Sequence, residues 1–172
     1  MVSSMFGGEK ERLHLTLNHR YDQPGYHWAL VLSPKDRPNT EQETALIPDS
    51  DRWHLTNQAS ARGDSLSLIA RFTLGKFKAS DHEANMQRIS AAVASIRIDH
   101  SVPDLSCRTW LLRVIDTLIA EQIVALSVPN AKESESRAIH EAGEVMEQIM
   151  TQRMNITKKS TIPMIDMRAK LD

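Results

Sequence analysis

The chain of 172 residues holds one cysteine, Cys107, and seven histidines. A cysteine attacks a carbonyl carbon as the thiolate, and a free thiol with a pKa of ~8.5 supplies little thiolate at neutral pH. Two arrangements correct this. The positive end of a helix dipole favours the anion, and a neighbouring imidazole pairs with it and later protonates the leaving group. Ser106 reads as the N-cap of a helix opening with Cys107, which meets the first condition. For the second, the run Tyr26-His27-Trp28-Ala29-Leu30-Val31-Leu32 puts a titratable ring inside an otherwise apolar strand, where an imidazole needs a partner. His54, in Arg52-Trp53-His54-Leu55-Thr56, sits similarly on the next strand candidate. A strand with a histidine, a neighbour with a second polar group and a helix opening with cysteine form a papain-like constellation, whose third member orients the base. The plainer reading carries equal weight for the thiol alone: a lone cysteine on an apolar helix is a small core residue.

The other histidines lie in polar surroundings. His14 falls on the polar face of the first strand candidate, His19 beside a turn, and His82, His100 and His140 in helical or loop segments. No His-x-x-x-His or Cys-x-x-Cys spacing marks a metal site, and the only paired glycines, Gly7-Gly8, precede the first strand without the spacing of a nucleotide-binding loop. Neither a metal nor a cofactor is expected.

The elements that must position Cys107 and His27 follow from the hydrophobic pattern. Leu13-His14-Leu15-Thr16-Leu17-Asn18 alternates as a half-buried strand does. Asp22-Gln23-Pro24-Gly25 is a turn, and Tyr26 to Leu32 reads as a central strand antiparallel to the first. Ser33 to Asp51 is polar and contains proline, which predicts a surface loop. Arg52 to Gln58 and Ser65 to Lys78 are further strands, with Gly75 marking a bulge or an end. Ser80-Asp81-His82-Glu83 resembles a capping box ahead of a helix through Ile96. A second helix runs from Cys107 to about Ile123, and a third from Glu133 to about Met154 with Ile139, Met146, Ile149 and Met150 on one stripe. The expected architecture is α+β: a small antiparallel sheet of about four strands packed against helices, one domain over 1–154 and a C-terminal tail over 155–172.

A formal net charge of -1, from 21 basic and 22 acidic residues, gives no global field for gathering a phosphate backbone or anionic lipid, so nucleic acid is not an expected partner. A single cysteine excludes an intramolecular disulfide. Met1 to Arg20 lacks the basic flank and apolar stretch of a secretory leader, and no run approaches the ~20 apolar residues of a membrane span. The expected location is cytoplasmic, without integral membrane contact.

The local sequences carry a resemblance. Tyr26-His27-Trp28-Ala29-Leu30-Val31-Leu32 resembles the His-Trp-Ala strand of the lecithin:retinol acyltransferase-like group, in the permuted branch of the NlpC/P60 superfamily, where histidine precedes cysteine. Ser106-Cys107-Arg108-Thr109-Trp110 is similar to the Asn-Cys-x-x-Phe helix start of that group and of the PPPDE thiol isopeptidases, with Ser106 where asparagine is usual. Fungal proteins with a Tyr-His-Trp strand and a Cys-Arg-Thr-Trp helix are similar too. The resemblance implies a papain-like permuted architecture, Cys107 as nucleophile, His27 as base and His54 as the orienting residue, with Trp28, Trp110 and Tyr26 lining the substrate site. The activity it implies is acyl transfer through a thioester on Cys107, as a hydrolase, isopeptidase or acyltransferase acting on a small-molecule or peptide acyl substrate. The alternative is a non-catalytic binding or self-association module, with a homodimer formed through the 133–154 helix and its Met146, Met150 and Met154.

Overall fold

Leucines alternate with polar residues along Lys10–His19 (β1), and the alternation sorts the whole molecule into two sides of a sheet. The structure, a computed structural model, describes residues 10–20, 23–34, 41–49, 52–60, 67–151 and 162–170. β1 pairs antiparallel with Tyr26–Pro34 (β2), from Glu11 opposite Pro34 to His19 opposite Tyr26. Gly25, at φ 84°, takes the left-handed conformation that the connecting turn requires. On its other side β1 pairs with Leu68–Lys78 (β5). Leu13 lies opposite Gly75 and His14 opposite Thr73, so Leu74 is the extra residue of a bulge beside the glycine that marked it.

Glu41–Asp49 (β3) and Arg52–Ser60 (β4) extend the sheet beyond β2, and Met164–Asp166 (β6) adds to β5 in parallel, for the order β4-β3-β2-β1-β5-β6. The fold is α+β, but the sheet is mixed and larger than four strands. The expected loop over 33–51 contains β3, and the expected tail contains β6 and Met167, which is fully buried. β3 escaped pattern reading because Glu41, Gln42, Glu43 and Thr44 are polar on both of its faces.

Three helices cover one side of the sheet. His82–Ser95 (α1) follows a single 3-10 turn, Ala79–Asp81; Ser80 lies within that turn rather than capping the helix, and its hydroxyl bonds Asp81 Oδ1 at 3.0 Å. Cys107–Ala120 (α2) begins as expected. Ser106 Oγ accepts from the Thr109 amide at 3.1 Å while Thr109 Oγ1 accepts from the Ser106 amide at 2.9 Å, a reciprocal cap. Ala131–Met150 (α3) is capped by Asn130, whose Oδ1 accepts from the Glu133 amide at 2.9 Å. Leu13, Leu15 and Leu17 of β1, Trp28, Leu30 and Leu32 of β2 and Phe72 and Leu74 of β5 join Trp110, Leu111, Val114 and Leu118 of α2 in one core. α3 meets it chiefly through the small residues Ala131, Ser134, Ala138 and Ala142 with Val145; of the expected stripe, Met146 and Ile149 are partly buried against the core, while Ile139 is 40% and Met150 76% exposed. Among the described residues no helix is long and apolar enough to cross a membrane.

Candidate functional site

At the end of the sheet where β1 turns into β2, the start of α2 leaves a cleft of about 330 Å³. The capped turn brings Ser106, Cys107 and Arg108 to it, β2 supplies Tyr26 and Trp28, the β1–β2 turn supplies Arg20, Pro24 and Gly25, and α3 supplies Ile139. Three residues expected at a site therefore meet: Cys107, Tyr26 and Trp28. Trp110, one helical turn beyond Cys107, is buried behind this wall and does not line the cleft. Its indole Nε1 has no hydrogen-bond partner among the described residues.

His27 does not join them. Successive strand side chains point to opposite faces, and Trp28, Leu30 and Leu32 take the helix side into the core with Cys107. His27 shares the parity of Ala29 and Val31 and pairs across β1 with Asn18, so its ring lies on the other side of the sheet from the thiol. His54 is exposed on β4, the outermost strand, and does not line the cleft either. The constellation of Cys107, His27 and His54 is therefore not assembled here. The sequence held a signal for this, since bulky residues at 28, 30 and 32 against alanine and valine at 29 and 31 already set the core parity. On β1 and β2, the histidine that shares both the helix-side parity and this end of the sheet is His19, opposite Tyr26, and it stops short of the lining.

The electrostatics of the cleft favour an anion. Among the described residues its lining includes two guanidiniums, Arg20 and Arg108, and no carboxylate. Behind Arg108 stands the buried Glu135 of α3, whose Oε1 lies 3.2 Å from Arg108 Nε and whose Oε2 lies 2.5 Å from Lys132 Nζ. The ion pair runs through Nε of the half-exposed Arg108, and its two terminal nitrogens make no bond among the described residues. Arg20 is held across the turn by Gln23. Since the Ser106 cap serves the Thr109 amide, the amides of Cys107 and Arg108 at the start of α2 meet no acceptor among the described residues. Burial raises the Tyr26 phenol above its ordinary value, so it stays a hydrogen-bond donor at neutral pH. Cys107 itself is 3% exposed, and among the described residues no histidine lines the cleft. Sequence reading missed both arginines, although Arg108 sits beside the cysteine.

The second face of the sheet is polar and yet buried. His14, Thr16 and Asn18 of β1, Arg71 and Thr73 of β5, Ser33 of β2 and Glu41 and Glu43 of β3 are all less than 9% exposed. Arg71 Nη1 pairs with Glu41 Oε1 at 3.1 Å, Ser33 donates to the same oxygen at 2.6 Å, and His14 Nδ1 lies 3.3 Å from the Thr73 hydroxyl. Burial first, then the Arg71 and Arg12 guanidiniums, lower the His14 imidazole to about 3. Space among these groups is about 10 Å³, the size of one water. Among the described residues this is a buried polar network. No group of three or more metal-ligating side chains occurs among the described residues.

Comparison with known families decides the kinship. DUF6914, described as a family of unknown function, matches residues 10–170. The chain belongs to DUF6914. No curated protein and no solved structure matches it. For this DUF6914 chain, the geometry of the cleft carries the functional reading.

Proposed function

We propose that the chain is a binding domain whose cleft at the start of α2 takes a small molecule bearing a carboxylate or phosphate on a flat apolar body. The observation that carries this is that Arg20 and Arg108, with no carboxylate among the described lining residues, share a cleft with Trp28 and Tyr26. Guanidiniums match planar oxyanions in two-point geometry, the unused amides at the helix start add donors, and the aromatic edges with Pro24 and Ile139 suit an apolar body. Acyl transfer on Cys107, and the permuted NlpC/P60-like architecture it presumes, would need an imidazole beside the thiol, and His19, the histidine on its side of the sheet, does not line the cleft. The parity of His27 and the exposure of His54 favour the non-catalytic reading instead.

Calorimetric titration with benzoate and phenyl phosphate, against benzyl alcohol as the uncharged control, tests it. Saturable binding of an anion, weakened about tenfold or more by Arg108→Glu or Arg20→Glu as expected for loss of a charge-assisted pair, supports the reading. Equal binding of benzyl alcohol, or no loss in either variant, contradicts it.

A further inference from the structure

A second cavity, of about 200 Å³, lies on the helix side of the sheet but away from Cys107, between α1 and the β3–β4 hairpin. β3 reaches it where the hairpin joins the sheet: Gln42 and Thr44 pair with Leu32 and Leu30 of β2, and all four line the cavity. Asn57, opposite Thr44 on β4, and Leu55 complete the hairpin side. Leu32, Met86 and Ile89 form an apolar floor and wall, and Leu55 of β4, 42% exposed, overhangs the opening. Among the described residues no charged side chain lines the cavity. Its polar groups are neutral side chains, chiefly the Gln42 and Asn57 carboxamides, and neither is hydrogen-bonded within the protein among the described residues.

We infer that this cavity is a second ligand site, for a small uncharged molecule with an apolar ring or chain and one carbonyl or hydroxyl group. An ion is disfavoured because nothing there balances a charge that leaves water. A carboxamide both donates and accepts, so it can meet either a carbonyl or a hydroxyl. The volume falls below the ~300–1,000 Å³ of drug-sized sites, which limits the occupant to one or two rings or a short chain. The site is separate from the arginine cleft and does not depend on what that cleft binds.

The test uses 2-naphthol as the hydroxyl-bearing probe and naphthalene as its apolar counterpart, followed by methyl NMR of the intact chain. Saturable one-to-one shifts at Leu55, Met86 and Ile89 are expected with 2-naphthol, unaffected by Arg108→Glu. Ser90→Trp, which puts an indole into the cavity, should abolish them; Leu55→Asp on the exposed strand is the second variant should the first fail to fold. Gln42→Leu should weaken 2-naphthol by about fivefold or more while leaving naphthalene unchanged, as loss of one hydrogen-bonding partner does. Absence of saturable shifts at those methyls, or binding that survives both Leu55→Asp and Ser90→Trp, overturns the inference.

Discussion

Cys107 remains the residue on which the account turns, because its position is favourable and its company is not. It stands at the first position of a capped helix, as read from Ser106-Cys107, and that much was legible. What was not read correctly is which side of β2 faces it. A one-residue step along a strand moves a side chain to the opposite face, so His27 and Trp28, adjacent in sequence, end up on opposite faces of the sheet. With the thiol 3% exposed and no histidine among the described residues lining the cleft, Cys107 should be alkylated by iodoacetamide more slowly than a free thiol at pH 6–8, and His27→Ala should leave that rate unchanged. A rate above that of a free thiol, lost in His27→Ala, would restore the catalytic reading.

Among the elements, legibility tracked how far one face is apolar. β1, β2 and α2 carry clean periodicities and formed where expected. β3 has polar residues on both faces because Glu41 and Glu43 turn into the buried network, and β6 has only three residues, two of them exposed. Pattern reading has nothing to grip in either. In α3 the large apolar residues drew the eye, but the face against the sheet is built of alanines and Ser134, which let the helix approach closely. Met146 is partly buried against the core, leaving Ile139 and Met150 as the exposed apolar residues of this helix. They are eleven positions apart, or about 16 Å along the axis. Two isolated side chains do not approach the ~1,200 Å² of a stable interface, so light scattering should find a monomer. A dimer at micromolar concentration that Met150→Asp dissociates would show that α3 pairs with a second copy.

For the molecule as a whole, the sheet divides the side that holds the helices and the two cavities from a side of buried polar residues. That second side should govern the response to acid. Folding lowers the His14 imidazole from 6.5 to about 3, so between those values the unfolded chain binds a proton that the folded one does not. Stability therefore rises with pH across this window and declines as pH falls from 6.5 toward 3, by at most about 1.4 kcal/mol per pH unit. Urea unfolding at several pH values should show this slope, and His14→Gln should flatten it; an unchanged slope in the variant would exclude His14 as its source. Asp166, held down from 3.8 to about 2 first by its hydrogen bond from Arg168, adds stability that is present above 3.8 and is lost as pH falls toward 2. Titration of benzoate at constant ionic strength, followed by backbone amide resonances, decides whether the start of α2 is an anion-binding cleft. Saturable shifts are expected, largest at the Cys107 and Arg108 amides and absent in Arg108→Glu; unmoved amides at those two positions would show that no anion binds there.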